Sequence, residues 1–468
     1  MTDLVPVFRR ERRLLGDLGL RYDQIETCAA LPLEIGADSL VLWCGEDPRL
    51  PALPPDCTGL IRSTKAGAFG LAIGRTGRDT RLLISRWDEV EAAGGQRVFA
   101  GSVSSEERGA DEIRWVVERL ATAHSYSYQR ELDWDQFERS ARLRIAAACS
   151  PADYLRAWEW ALARLHDRHT RVLAIGGSSP CHRVHCGIYG RFVSRSRFIV
   201  EHVWPRSAAV AAGVVAGMMI SGVAGGDWPT YLRHENPYWA SSTRHFRRAI
   251  QRFIPWYQPN STRLELLTDA GVRAVEFGDT SYPGFFHWLY DGEPEPVTFG
   301  WLGADRYRLR ISYFPPGQGF VDCCEQLLSL VPGRGSLELD LRGNAGGNAE
   351  TSVRVAEMLL KPGAPLARRR SRRVGGHYTR WTVLRSDSHP VYLGPLTALM
   401  DEFCASSCEM LLGALKANGR GMLVGRRSAG STGNPRKYVT ERGVEFLCSS
   451  WEETTPNGET IEGVGIGP

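Results

Sequence analysis

Asp340-Leu-Arg-Gly343-Asn-Ala-Gly346-Gly347-Asn348 and, further along, Asp401-Glu-Phe-Cys404-Ala-Ser406-Ser407-Cys408-Glu409-Met410 are the stretches that decide the fold. Each follows an apolar run of strand length, Leu337–Leu341 and Leu396–Met400, and each opens a helical pattern. The first helix spans about Glu350 to Leu360 and is stopped by Pro362; the second spans Ser407 to Ala417 and is closed by Asn418-Gly419. A further strand, Met422-Leu-Val424, follows. Strand–helix–strand–helix–strand predicts a parallel sheet with right-handed crossovers. In such sheets reactive groups gather where strands end and helices begin. A glycine pair after a strand lets backbone N–H groups point outward together, which suits a developing oxyanion. A serine on a strand-to-helix turn can present its hydroxyl while the next N–H supplies a second donor. Taken singly, the first feature is a turn and the second a helix cap.

Upstream of this unit, which begins near Val297, the chain predicts an α/β multidomain protein. Residues 1–115 read as a mixed α+β domain without a chemical motif. Residues 116–182 are helical: Phe137, Ala141 and Ile145 follow Asp133-x-x-Gln136, and Leu155, Trp158, Leu162 and Leu165 follow Ser150-Pro151. Asp167-Arg-His169-Thr170 lies just past the second of these helices and before a strand, Val172–Ile175. Residues 183–290 form a third unit, and 291–468 the last. Within the third, Ser207 to Gly226 carries no charge and is long enough to span a bilayer, but its glycines and the absence of Leu and Phe argue against a membrane span.

With 468 residues, about three domains are expected. Lys plus Arg total 57 against 53 for Asp plus Glu, leaving a net charge of +4; 43% of residues are hydrophobic and 24% charged. This excludes a disordered or collagenous chain and gives no global reason to expect nucleic acid. The eleven cysteines have no framework spacing, and the opening residues lack the apolar core of a signal peptide. Both point to a reducing, cytoplasmic setting in which cysteines such as Cys404 and Cys408 pack as small apolar groups. Cys181-His182-Arg-Val-His185-Cys186 is too tightly spaced for a structural zinc site, so no metal or other cofactor is expected. Five arginines in Arg368–Arg373 read as a solvated loop or strand edge, or as a surface favouring acidic substrates.

The order of Asp-Leu-Arg-Gly-Asn-x-Gly-Gly, Ala-Ser-Ser-x-Glu and Gly419-Arg-Gly-Met-Leu-Val-Gly425-x-x-Ser428-Ala-Gly430 resembles the C-terminal-processing and tricorn-core serine peptidases over roughly residues 130 to 468. The resemblance implies a crotonase-like catalytic domain with a PDZ-like insert, the latter explaining the uncharged run. It implies Ser406 as nucleophile and oxyanion donors from Gly346 or Gly347 and from Ser407. Processing enzymes use a lysine about 25 residues after the serine as base; that position is Ser431, which leaves only Lys437 nearby. The tricorn-like branch uses a histidine and a late glutamate. His169, in an Asp-x-His signature, and Glu462, in Glu462-Gly-Val-Gly-Ile-Gly-Pro468, match them. The implied activity is peptide hydrolysis through Ser406, His169 and Glu462, with a peptide or protein as partner. His166 competes for the role of base, and a catalytically silent peptide- or ligand-binding protein on the same scaffold remains the alternative.

Overall fold

The computed structural model describes the backbone of strands 60–63, 69–76 and 79–86, and residues 110–148, 151–175, 187–223, 226–235, 238–254, 262–277, 295–372, 376–387, 390–440 and 443–468. The Cys181–Cys186 cluster, Arg373 and most of the first 109 residues lie outside the described residues. Two compact units divide the chain, Met1–Arg114 with Asp135–Trp158, and Trp115–Trp134 with Glu159–Pro468. In the first, Leu60–Ser63, Phe69–Thr76 and Asp79–Arg86 pair as an antiparallel meander. Helix Trp134–Ala146 starts one residue after Asp133 and buries Phe137, Ala141 and Ile145, the stripe that its spacing predicts.

The second unit holds the predicted alternation. Strands Arg306–Ile311, Ser336–Asp340, Leu396–Met400 and Met422–Gly425 lie side by side in parallel, and Val297–Gly303 closes one edge antiparallel. Helices Ala349–Leu359 and Ser407–Ala417 occupy the two connections that the apolar patterns define. Helix Gln318–Ser329 was not anticipated, since Gly317 at its start offers no capping side chain to mark it. Leu337, Leu339 and Leu341 alternate with Glu338 and Asp340, so the three leucines share one face of the strand and lie fully buried in the central core. Each such leucine contributes about 1.5–3 kcal/mol.

A second sheet contains Ile188–Ser194, Arg197–Val203, Met219–Val223, Thr262–Thr268 and Gly271–Phe277, around a core of Phe198, Ile220, Trp228 and Leu264. Here the uncharged run becomes a short helix, Ala208–Ala211, capped by Ser207, and then strand Met219–Val223. No helix among the described residues is long and apolar enough to cross a membrane.

Two smaller sheets bring distant segments together. Arg171–Ile175, just after His169, pairs antiparallel with Val444–Ser449, which also pairs with Pro435–Val439. Pro365–Ser371 lies between Thr382–Arg385 and Trp451–Thr454. Arg368, Arg369 and Arg370 sit on this central strand and are half-buried. Arg369 pairs with Glu453 and Arg370 with Glu452. Their guanidinium groups also lie over the rings of Trp451 and Tyr378, at 4.3 and 4.2 Å. Cross-strand carboxylates thus offset the charges of Arg369 and Arg370.

Candidate active site

Ser406 stands at the turn from strand Leu396–Met400 into helix Ser407–Ala417. Its backbone has φ 58° and ψ −124°, a conformation that a non-glycine residue rarely holds. Such strain persists only where surrounding contacts impose it. The contacts are visible: Ser406 N–H donates to the carbonyl of Ser431 at 2.8 Å, and Ala405 N–H donates to that of Asn344 at 3.0 Å. The hydroxyl is thereby turned away from the helix toward His169, whose Nε2 lies 3.2 Å from Ser406 Oγ.

His169 is buried on a turn that Asp167 organises. Asp167 Oδ1 accepts the His169 N–H at 2.9 Å, and Oδ2 accepts the Thr170 hydroxyl at 2.6 Å. Burial pushes the His169 imidazole down to about 4, with Arg168 and Arg171 acting in the same direction and Asp167 opposing. The ring is therefore neutral at neutral pH, the state a general base requires. His166 is exposed one turn back, in a left-handed conformation.

The hydrogen bond expected between Glu462 and His169 is absent among the described residues. The other ring nitrogen, Nδ1, lies 3.1 Å from the hydroxyl of Ser431, which is fully buried. Glu462 instead pairs with Arg130 and accepts the N–H of Thr432 at 2.7 Å. The physical reason is the path of the C-terminal segment. Gly463 N–H donates to Gly430 O and Ser428 N–H to Ile466 O, which fastens Glu462 alongside residues 428–432 and leaves Ser431 facing the ring. Burial, then the charge of Asp167, raises the Glu462 carboxyl to about 8 against the opposing influence of Arg130.

Glu409, three residues after Ser406, is buried and accepts four bonds. They come from Ser406 N–H at 3.2 Å, Ser428 Oγ at 2.5 Å, Gly430 N–H at 2.6 Å and Ser431 N–H at 2.8 Å. Burial raises its carboxyl to about 7 in spite of them. The N–H groups of residues 430, 431 and 432 are thus all held by two buried carboxylates, one on each side of the serine that meets His169.

The glycine pair lies beside Ser406. A Cβ on Gly346 would fall 2.7 Å from both Ala405 O and Ser406 Cβ, and one on Gly347 would fall 2.2 Å from Phe314 O, so neither position accepts a side chain. Gly346 N–H is committed to Asn344 Oδ1 at 2.8 Å. That leaves Gly347 of the pair, together with the first-turn N–H of Ser407, which has no acceptor within its own helix. Ser407 Oγ binds Gly347 O at 2.8 Å and ties these two donors together. Lys437 is engaged with Glu445 at 2.6 Å on a half-exposed strand. Cys404 and Cys408 are buried with thiols pushed up by desolvation, as packing groups would be.

Sequence reasoning passed over Ser431, Asp167 and the acceptor role of Glu409. The signal for Ser431 was its position about 25 residues after Ser406, where the resemblance implies a lysine base. Residues 309–468 match the family described as Peptidase family S41. Carboxyl-terminal-processing peptidase 1, chloroplastic, of Arabidopsis thaliana is 28% identical over 130 residues, 28% of this chain and 26% of that one. The carboxyl-terminal-processing protease of Picosynechococcus sp. is 30% identical over 135 residues, 28% of this chain and 30% of that one. The matched segment thus spans between a quarter and a third of these relatives. The solved structure of mature CPAF complexed with lactacystin superposes with a TM-score of 0.58 at 14% identity, covering 78% of this chain and 93% of that one, a likeness of fold.

Proposed function

Because residues 309–468 match the model of peptidase family S41, we propose that the chain is a serine peptidase whose nucleophile is Ser406 and whose general base is His169. The observation that carries this reading is the 3.2 Å approach of His169 Nε2 to Ser406 Oγ on a strained strand-to-helix turn. In the reaction, Nε2 takes the proton as Ser406 Oγ attacks the peptide carbonyl. The oxyanion forms against the N–H groups of Gly347 and Ser407, and the imidazolium returns the proton to the leaving amine. Water then repeats the sequence on the acyl-enzyme.

Nδ1–H donates to Ser431 Oγ, which fixes the tautomer as a carboxylate does in other triads but without a full charge. Glu462 acts one step further out, holding Thr432 and through it Ser431. The imidazolium then draws its stabilisation from Asp167 and from the oxyanion. The arrangement is tricorn-like in using a histidine, and the engagement of Lys437 with Glu445 disfavours a Ser–Lys mechanism. The sheet spanning 188–277, read as a PDZ-like unit inserted ahead of a crotonase-like core, is suited to hold an extended peptide by strand addition. A fluorophosphonate probe tests the reading. Covalent label on the tryptic peptide holding Ser406, lost in Ser406→Ala and His169→Ala, is the expected result. No label on the intact chain would favour a silent scaffold.

A further inference from the structure

We infer that His124 is a positioning residue for the base: its buried pairing with Asp167 sets the place and direction of the His169 ring. The inference rests on the reading of His169 as base. His124 is fully buried and its Nε2 lies 2.9 Å from Asp167 Oδ2, on a carboxylate that is itself fully buried. An ionised carboxylate only accepts, so His124 Nε2 carries the hydrogen. Burial, the largest influence on Asp167, raises its carboxyl; the hydrogen bond and attraction of His124, with Arg130 and His169, outweigh it and hold the group well below the usual carboxylate range.

The geometry gives this pair one output. The Asp167 oxygen opposite the His124 bond takes the backbone N–H of His169, and the shared oxygen takes the hydroxyl of Thr170. Thr170 Oγ1 in turn accepts from Ser449 N–H at 3.2 Å. The backbone of His169 and the side chain of the next residue, Thr170, are therefore both held by one carboxylate. That carboxylate is oriented by an imidazole 43 positions earlier.

His124 is held from its other side. Arg372 Nη1 donates to His124 O at 2.8 Å and also binds Ser127 Oγ, while the Tyr378 hydroxyl donates to Ser125 O. Ser125 N–H donates to Ser449 O at 3.0 Å. Part of the arginine run thus serves to fix the His124 turn. Removing the Nε2–H would leave the buried Asp167 charge with fewer donors, and the turn would relax toward new ones.

Two variants and two measurements test this. His124→Gln keeps an N–H near the position of Nε2, whereas His124→Phe removes it. The first readout is the rate of fluorophosphonate labelling and the split between kcat and KM on a peptide substrate. The second is the tautomer and titration of the His169 ring by NMR on selectively labelled histidine, assigned with His169→Asn. His124→Phe is expected to lower kcat and labelling at least about tenfold, with KM changed less than about twofold. It is also expected to replace a single Nδ1–H tautomer of His169 by a mixture; His124→Gln is expected to recover most of both. A folded His124→Phe with the wild-type ring spectrum and labelling rate overturns the inference, and so does a His124→Gln that falls as far as the phenylalanine variant. If His124→Phe does not fold, His124→Gln and Asp167→Asn decide. The asparagine variant should lower the His169 titration further, because the carboxylate raises it. A wild-type chain that neither labels nor turns over would refute the peptidase reading, while the ring spectra would still judge His124.

Discussion

Ser406 holds its hydroxyl toward His169 at the expense of a φ of 58°, and the two serines that flank the ring differ in what they contribute. Ser406→Ala should abolish labelling and turnover and cost no more than about 1–2 kcal/mol of stability. Ser406→Gly should be equally inactive yet at least as stable as the alanine variant, since glycine relieves a strain of order 1 kcal/mol. Thermal unfolding of the pair checks this, and a glycine variant well below alanine would contradict it. Ser431→Ala leaves the Nδ1–H of a buried ring without its acceptor, a penalty of about 1–3 kcal/mol. Expressed in the transition state, that is roughly a 5- to 150-fold loss of kcat with little change in KM. An unchanged kcat would show that Ser431 does not orient the ring.

The depressed imidazole gives a pH test at the same scale. An ordinary histidine at 6.5 would lose roughly sixteenfold of its free base between pH 6.5 and pH 5. His169, at about 4, keeps most of its own. The labelling rate should therefore fall less than about threefold between pH 6.5 and pH 5. A tenfold fall would place the base near the ordinary value.

At the scale of elements, the segment Ser428–Thr432 is the part that two buried carboxylates grip, and its pH response follows from their shifts. The Glu462 carboxyl is raised from its ordinary 4.5 to about 8. Between those values the folded chain binds a proton that the unfolded chain does not, so Glu462 contributes stability at the low end and loses it as pH rises through about 8. Melting temperature should therefore fall more steeply from pH 5 to pH 8 in the wild type than in Glu462→Gln. Parallel curves would refute the assignment.

The strands and helices around the site could be read from the sequence because apolar runs and caps are local. Leu337–Leu341, Leu396–Met400 and Ser407–Ala417 lie where the pattern puts them. The partner of His169 Nδ1 could not be read in this way. Glu462 and Ser431 differ in that respect by the route of one C-terminal segment over residues 428–432, a matter of long-range packing rather than of spacing. The arginine run misled for a similar reason. Glu452 and Glu453, the carboxylate partners of Arg370 and Arg369, arrive on a strand some eighty positions later and offset those two charges.

At the scale of the molecule, the candidate site draws on five separated segments: the His124–Arg130 stretch, the Asp167–Thr170 turn, the two strand-to-helix junctions of the central sheet, and the chain end from Ser428 onward. Only the junctions carry a pattern that a sequence displays by itself; the rest meet through sheets such as the pairing of Arg171–Ile175 with Val444–Ser449. The PDZ-like reading of residues 188–277 belongs to this scale as well. If that unit presents the substrate, a mutation that unseats its core, such as Trp228→Ala, should raise KM for a protein substrate while leaving the labelling rate by a small fluorophosphonate within about twofold. Equal losses in both would remove the presenting role.

The central claim is that Ser406 attacks a carbonyl with His169 as its base, and trapping the acyl-enzyme tests it most directly. An activated peptide ester mixed with the wild-type chain and quenched with acid should give a burst approaching one equivalent, with the acyl mass on the peptide containing Ser406. No burst is expected from Ser406→Ala or His169→Ala, and a normal burst from Lys437→Ala. A burst that survives His169→Ala and is lost in Lys437→Ala, or an acyl mass on any residue other than Ser406, would contradict the account.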